Sequence, residues 1–121
     1  MNRKKGNRSR LKVIKFYEEK GYIVDKVEKT HKWAKEKDLF GLALDEGYTD
    51  KGFDLIAMKK GEVVLIQVKT NSPATQNWYR DFSDKYAGEV VSVVVATVED
   101  YKGIRIQRYQ PNGEIEEDRI D

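Results

Sequence analysis

The chain has 121 residues and a net charge of +2, which suits one domain with a core of two packed layers. Hydrophobic residues make up 39% of the chain, too many for a disordered protein, and no apolar run is long enough to span a membrane. There is no cysteine, which excludes disulfides and thiolate metal sites. We therefore expect a cytoplasmic protein without a membrane partner.

Basic and acidic residues are concentrated at opposite ends of the chain. Residues 1–15 contain no acid, and their basic side chains are Arg3, Lys4, Lys5, Arg8, Arg10, Lys12 and Lys15. Residues 114–121 are mostly acidic. A basic arm over residues 1–7 is typical of a protein that binds a polyanion such as DNA. The same arm is also compatible with a solvated terminus that has no partner.

The hydrophobic periodicity predicts a mixed β-sheet flanked by helices. The predicted elements, in chain order, are a helix over residues 8–20, strands over 22–30, 53–58 and 63–70, a helix over 73–86, and strands over 89–98 and 103–109. Residues 111–113 are expected to form a turn that leads into an acidic tail. The order α-β-β-β-α-β-β indicates a single α/β domain, with the last strand at an edge of the sheet.

The connection over residues 31–52 has no regular pattern and is longer than usual, which is typical of functional loops. Within it, Trp33 could stack on an unpaired base. Asp38 could approach a metal ion, or it could simply open a turn. His31 is the only histidine, so a metal site with two histidine ligands is excluded.

Three polar residues are predicted to converge on the hairpin formed by the second and third strands. Gln67 and Lys69 point to the same side of one strand, because alternate residues share a face. A two-residue turn at 60–61 places Asp54 directly opposite Gln67, with Lys69 diagonal to it. A three-residue loop would shift the register by one residue and remove this pairing.

A carboxylate, an amide oxygen and an ammonium at one place have the chemistry that phosphodiester cleavage needs. Mg²⁺ prefers one or two protein carboxylates together with water and phosphate oxygens, so Asp54 and Gln67 could be its ligands. Lys69 could hold and help deprotonate a water, or stabilise the charge of the transition state. The alternative is an ordinary surface ion pair between Asp54 and Lys69, with Gln67 beside it.

The segment GFDLIAMKKGEVVLIQVKT, residues 52–70, resembles the core motif of the PD-(D/E)XK nuclease superfamily. In that motif an Asp ends one strand, and an acid-x-Lys triplet lies on the next. The resemblance implies a restriction-endonuclease-like fold and DNA cleavage that depends on Mg²⁺ or Mn²⁺. It assigns Asp54 as a metal ligand, Gln67 to the position of the middle acid and Lys69 as the catalytic lysine.

Within that superfamily, the pattern is most similar to the small Holliday junction resolvases of archaea and to related viral proteins. These imply a homodimer that acts on branched DNA. Gln67 replaces the usual Glu or Asp, which removes one negative charge from the metal site. Resolvases also carry a Glu early in the first helix, where this chain has Arg-Ser-Arg at residues 8–10. Glu18 or Glu19 could take the place of that glutamate, or each could be an ordinary solvated helix residue.

The sequence therefore leads to two main hypotheses. The first is a metal-dependent DNA endonuclease, in which Asp38 could be a further metal ligand. Its expected DNA contacts are Arg3, Lys4, Lys5, Arg8, Arg10 and Trp33. The second is a nucleic-acid-binding module of the same fold that is catalytically weak or inactive. A structural protein with an incidental Asp–Lys pair is a third possibility.

Overall fold

The computed structural model describes residues 3–26, 53–72 and 76–120, with side chains from Gly6 onward. Its elements are α1 (Arg3–Glu19), β1 (Ile23–Lys26), β2 (Leu55–Lys59), β3 (Glu62–Thr70), α2 (Gln76–Tyr86), β4 (Val91–Glu99), β5 (Gly103–Tyr109) and β6 (Ile115–Ile120). The described strands form one six-stranded sheet in the order β1-β2-β3-β4-β5-β6. Strands β3 and β4 run parallel and the other described neighbours run antiparallel, so the predicted mixed α/β class is confirmed.

Helix α1 packs on the sheet through a stripe of residues that lie four apart. Ser9, Val13 and Tyr17 are buried on this stripe, and Phe16 is half-buried beside them. Side chains at this spacing lie above one another on a helix, so the sequence forms one face that is covered and one that is solvated. Gly21 follows the last turn with a φ of 93°, a left-handed conformation that ends helices.

Strands β2 and β3 form a hairpin with the predicted two-residue turn. Lys59 pairs with Glu62, and the register continues to the pair of Leu55 and Ile66. Gly61 in the turn has a φ of 79°, a left-handed conformation that glycine adopts without strain. The predicted register is therefore confirmed as far as Leu55, the first residue of β2.

One face of the sheet is an apolar core beneath α1. Its buried strand residues are Leu55, Ala57, Val64, Ile66, Val68, Val94, Ala96, Val98 and Ile104. Helix α1 contributes Val13 and Tyr17 to the same cluster. Burying one such side chain stabilises a fold by about 1.5–3 kcal/mol, so this face holds the helix on the sheet.

The opposite face packs against α2 through aromatic rings. Its buried residues are Phe53, Ile56, Leu65, Tyr79, Phe82, Val93, Val95 and Tyr109. Trp78 and Phe82 stack with ring centroids 5.4 Å apart, and Phe53 meets Phe82 edge-on at 5.0 Å. The aromatic side chains of this helix are therefore part of a core.

The two ends of the chain differ from the prediction. Helix α1 begins at Arg3 and not at residue 8, so residues 3–7 of the basic arm belong to a helix. Arg and Lys have helix propensities close to that of Ala, which favours this extension. Strand β6 forms where a turn and an acidic tail were expected, and it makes β5 internal instead of an edge. Arg108 of β5 lies opposite Glu116, so the acidic segment meets a basic neighbour.

Candidate functional site

Asp54 lies where the alternation of strand residues breaks. Phe53 and Ile56 both pack against α2, although residues three apart in a regular strand face opposite sides. The chain therefore bends at Asp54, directly before β2 begins. The direction of its carboxylate is set by the bend and by its hydrogen bonds, and not by strand alternation alone.

Two hydrogen bonds attach Asp54 to β3 on either side of Gln67. The Asp54 N–H donates to the carbonyl oxygen of Ile66 at 2.8 Å. The N–H of Val68 donates to the Asp54 carboxylate Oδ2 at 3.0 Å. The carboxylate thus accepts the Val68 N–H bond that a backbone carbonyl would accept if β2 continued regularly. Asp54 consequently lies beside Gln67, although the last regular strand pair is that of Leu55 and Ile66.

The electrostatic surroundings of Asp54 are unusual for a carboxylate. Burial raises the pKa of Asp54 above its ordinary value. The hydrogen bond from Val68 and the positive charges of Arg10 and Lys69 lower the pKa, but by less than burial raises it. A perturbed carboxyl group with specific charged neighbours is a common feature of functional sites. Asp54, Arg10 and Lys69 therefore belong to one electrostatic neighbourhood.

Gln67 is a polar residue in the middle of a buried strand. Its side chain is 3% exposed, and its neighbour on β4 is the apolar Val95. The amide oxygen Oε1 is buried and has no hydrogen-bond partner within residues 3–26, 53–72 and 76–120. A buried polar group without a partner destabilises a fold by about 1–3 kcal/mol. A hydrogen-bond donor or a cation from outside the described residues would satisfy this oxygen.

Lys69 follows Gln67 by two residues and is half-buried. Leu65 of the same strand packs against α2, so Gln67 and Lys69 share that face by alternation, as predicted. The neighbour of Lys69 on β4 is Thr97, which is 1% exposed. The Thr97 hydroxyl is also buried without a hydrogen-bond partner among the described residues.

The polar surface continues across β4 and β5, which the sequence reasoning missed. We call it the polar block; its members are Gln67, Lys69, Thr97, Arg105 and Gln107. The register places Gln67 and Gln107 in one row across the sheet, and Lys69, Thr97 and Arg105 in the adjacent row. Like Gln67 and Thr97, the residues Arg105 and Gln107 have a buried atom, Nε and Oε1 respectively, that lacks a partner in the described ranges.

A signal for the polar block was present in the sequence. Arg105 and Gln107 occupy alternate positions of the segment GIRIQRY, and Thr97 interrupts an apolar run. The prediction of β5 as an edge strand gave no reason to expect these two side chains inside the sheet. The pairing of β5 with β6 makes them internal instead. Their placement on one face required knowledge of the strand order.

An ion-pair network fixes one end of the polar block. Glu99 Oε1 accepts from Arg119 Nη1 at 2.6 Å, and Glu99 Oε2 lies 3.5 Å from Arg105 Nη2. All three side chains lie on adjacent strands β4, β5 and β6. The shared carboxylate therefore holds the Arg105 guanidinium in place while leaving its Nε for another acceptor.

The basic part of α1 lies at the same end of the sheet as Asp54. The hydroxyls of Ser9 and Thr70 are hydrogen-bonded at 2.7 Å, which ties the helix to the last residue of β3. The charge of Arg10 acts on Asp54, as described above. Arg8 is exposed and lines a cavity of about 500 Å³. Arg10, predicted to bind DNA, is thus near the predicted catalytic Asp54, and Arg8 lies one residue from the bond that ties α1 to β3.

The remaining predicted residues lie outside the described part of the chain or away from Asp54. Asp38 and Trp33 lie outside the described residues, as do the side chains of Arg3, Lys4 and Lys5. Glu18 and Glu19 are exposed in the last turn of α1, at the opposite end of the helix from Ser9 and its bond to β3. The structure therefore gives neither glutamate a contact with the Asp54 region.

Within the described ranges, no three His, Cys, Asp or Glu side chains converge into a group that could hold a metal ion. A metal ion at Asp54 would thus need the amide oxygen of Gln67, or ligands from the rest of the chain.

Neither a protein-family model nor a curated protein matches the chain. None of the helices in the described part of the chain is long and apolar enough to cross a membrane.

Proposed function

We propose that the chain is a metal-dependent endonuclease that hydrolyses phosphodiester bonds in DNA, with branched DNA as the favoured substrate. One observation carries the proposal. The Asp54 carboxylate is hydrogen-bonded to β3 beside the buried amide of Gln67, within the electrostatic reach of Lys69. A carboxylate, an amide oxygen and an ammonium are the groups that the PD-(D/E)XK motif uses, and the resemblance assigns these same three residues.

A Mg²⁺ or Mn²⁺ ion fits the oxygen atoms of Asp54 and Gln67. Burial disfavours the ionised form of Asp54, and the Gln67 amide oxygen has no partner among the described residues. A cation would favour the carboxylate and satisfy the amide oxygen at the same time. These are hard oxygen ligands, which such ions combine with water and phosphate. When bound, the ion would polarise a phosphate oxygen and lower the pKa of a water molecule.

Lys69 supplies the positive charge of the proposed site. Its ammonium lowers the pKa of Asp54, so it lies close enough to act on groups bound beside that carboxylate. A fixed cation next to a phosphate stabilises the negative charge that develops in the transition state. The Lys69 ammonium would also donate a hydrogen bond to the oxygen of an attacking water and so orient that water toward the phosphorus.

The cations of α1 support DNA as the substrate. The Ser9–Thr70 hydrogen bond fixes the helix to the end of β3, two residues from Val68 and its bond to Asp54. Phosphate contacts from Lys and Arg position DNA without reading its sequence. A homodimer would provide two such sites and would allow both strands of a branch to be cut.

A nucleic-acid-binding module without catalysis is the second candidate, and one observation favours it. In the part of the chain that the structure describes, no three His, Cys, Asp or Glu side chains lie close enough together to bind a metal ion. Because Gln67 is neutral, the pair of Asp54 and Gln67 would bind a cation more weakly than two carboxylates. DNA binding by α1 would survive the loss of the metal.

The test is a cleavage assay with Lys69→Ala. Supercoiled plasmid, linear duplex and a synthetic four-way junction are incubated with the protein and Mg²⁺, Mn²⁺ or EDTA. The nuclease proposal expects metal-dependent cutting, with the junction cut fastest, and a loss of roughly 10²–10³-fold in rate for Lys69→Ala. DNA binding without cutting would support the binding module instead.

Lys85→Ala is the matched control for this assay. Lys85 is an exposed lysine in the last turn of α2, and it is not among the charges that shift the pKa of Asp54. The same charge is removed, but no group of the proposed site is changed. Equal losses in the two variants would mean that cutting depends on overall charge, and the role given to Lys69 would be wrong.

A further inference from the structure

Tyr101 is an aromatic residue that neither packing nor local conformation explains. It is fully exposed on the turn between β4 and β5. Its φ is 64°, in the left-handed region that favours glycine or asparagine and is rare for bulky side chains. A fully exposed ring adds nothing to the core. The ring at this position therefore indicates contact with something outside the fold.

The turn that carries Tyr101 is held firmly. The Asn71 side chain donates through Nδ2 to Asp100 Oδ2 at 3.0 Å and accepts from the Asp100 N–H at 2.9 Å. The Lys102 N–H donates to the Glu99 carbonyl at 3.1 Å and closes the turn. The ring is thus presented on a fixed support, and little conformational freedom of the backbone would be lost on binding.

Basic side chains line the space beside Tyr101. The cavity of about 500 Å³ is formed by Arg8, Ser9, Lys12, Val98, Asp100 and Tyr101. The carboxylate of Asp100 is engaged by Asn71. Lys12 also lines an adjoining cavity of about 380 Å³ together with Lys15.

Arg8, Lys12 and Lys15 are exposed and lie on one flank of α1, since they are separated by four and three residues. We call these three residues the basic stripe. It runs along the helix beside the turn of Tyr101. A row of cations next to an exposed ring matches the chemistry of a nucleic acid strand, which alternates phosphates with stacking bases.

We propose that Tyr101 and the basic stripe bind an unpaired segment of DNA, with the ring stacked on a base and the stripe on phosphates. This inference rests on the proposed function, because it names the part of the substrate next to the cut. Ser9 borders the cavity and is bonded to Thr70 of β3, so the stripe and the Asp54 region lie at one end of the sheet. Unpaired bases occur where a DNA branch opens.

Fluorescence anisotropy in EDTA tests the stacking contact without cleavage. The probes are a labelled single-stranded oligonucleotide and an abasic oligonucleotide of the same length, which keeps the phosphates and lacks the bases. Tyr101→Asn is expected to weaken binding of the first probe by about 5- to 150-fold, the effect of losing one stacked base. It should leave the abasic probe unchanged, and Tyr101→Trp should bind at least as tightly as the wild type.

A salt titration tests the phosphate contacts. Each cation of the basic stripe changed to Ala should reduce the slope of log K against log salt by about 0.7, the value for single strands. The reduction should be the same for the base-containing and the abasic oligonucleotide. An unchanged slope in the triple variant of Arg8, Lys12 and Lys15 would overturn the phosphate part of the proposal.

Stability measurements separate a binding role from a structural one. Tyr101→Asn should unfold at the same or a higher urea concentration, because Asn tolerates a positive φ. Tyr86→Asn is the control, since Tyr86 is also exposed but lies at the end of α2. It should not change binding. Equal losses on both probes for Tyr101→Asn, or no loss on either, would overturn the inference.

The two proposals fail in different ways. Wild-type cutting that stops in Lys69→Ala, together with no effect of Tyr101→Asn on binding, would refute the stacking site and leave the nuclease intact. A base-dependent loss of binding in Tyr101→Asn, without cutting under any metal, would refute the nuclease and leave the stacking site intact. No binding of either oligonucleotide by the wild type would overturn the inference outright.

Discussion

The two faces of the sheet are built from the same strands but have different chemistry. On the α1 face, every buried residue of β3 to β5 is apolar, as in the run of Val64, Ile66 and Val68. On the α2 face, the apolar residues lie under the helix, and the polar block follows them along β3 to β5. In the described part of the chain, all the buried polar side-chain atoms without partners are on that second face, including Tyr109 OH.

This difference shows how a small domain separates stability from function. Alternate residues of one strand point to opposite faces, so a single strand can serve both purposes. Ile66 and Val68 pack in the core beneath α1. Gln67 and Lys69 alternate with them along β3, so their polar groups lie on the opposite face. A buried polar group without a partner is destabilising, so the apolar face must offset the polar one.

The largest expected effect comes from the apolar face. Ile66→Ala should lower the free energy of unfolding by about 2–5 kcal/mol, because it removes a fully buried side chain and leaves a cavity. Urea denaturation measures this loss. The cleavage rate per folded molecule should be unchanged, since the Ile66 side chain is fully buried and cannot contact substrate. A rate loss that persists when all molecules are folded would mean that the faces are not separate.

The adjacent residue should respond in the opposite direction. Gln67→Leu removes the buried oxygen that has no partner among the described residues, so we expect the free energy of unfolding to rise by about 1–3 kcal/mol. Metal-dependent cutting should be lost at the same time. Denaturation and the plasmid assay on one preparation check both results. A decrease in stability would mean that the amide is satisfied in the native protein.

Gln67→Glu sharpens this comparison. A second carboxylate should destabilise the metal-free protein, because it buries a charge near Asp54. It should also increase the stabilisation by Mg²⁺, which reaches about 2.7 kcal/mol when the metal is at 100 times its Kd. The shift in Tm on adding Mg²⁺ should therefore be larger in Gln67→Glu than in the wild type. Equal Tm shifts in the two proteins would mean that Mg²⁺ does not bind at residue 67.

Much of the fold followed from local patterns. The hydrophobic periods predicted α1, the five strands β1 to β5 and α2, and the turn at Gly61 set the register of the hairpin. The start of α1 was predicted too late because basic residues carry no hydrophobic period, although they favour helix. Strand β6 was missed because its acidic residues lack the alternation of a half-buried strand.

The site was predictable only where the hairpin determined it. Gln67 and Lys69 share a face by alternation, which any strand obeys. The bend at Asp54 was not predictable, because it arises from the packing of Phe53 against α2. Arg105 entered the site through the strand order and through the Glu99 ion pair, which brings together residues of three strands. The strand order and the ion pair do not follow from the alternation within one strand.

A smaller effect is expected from Asp54→Asn, and it should depend on pH. Because the pKa of Asp54 is raised in the fold, the folded state favours the protonated carboxyl. That stability is fully present below the ordinary pKa of about 4 and is lost as the pH rises through the raised value. Asn carries no charge, so at pH 7 Asp54→Asn should be the more stable protein by about 0.5–2 kcal/mol.

Urea titrations of both proteins between pH 3 and pH 7 measure this difference. The gain of the variant should appear only as the pH rises above the ordinary value, and the effects of all other groups cancel in the comparison. Saturating Mg²⁺ should reduce the gain, because a cation favours the ionised Asp54. A gain that is constant across the pH range would show that charge at this position is not responsible.

The smallest effect compares two threonines on opposite faces. Thr97 is on the α2 face and its hydroxyl has no partner among the described residues, whereas the Thr70 hydroxyl is bonded to Ser9 at 2.7 Å. Thr97→Val should therefore raise the free energy of unfolding by up to about 1 kcal/mol, and Thr70→Val should lower it by about 0.5–1.5 kcal/mol. The substitution is identical in both cases, so differences in shape cancel. A decrease in both variants would mean that the Thr97 hydroxyl is satisfied, and an increase in both would mean that the bond between Thr70 and Ser9 does not stabilise the fold.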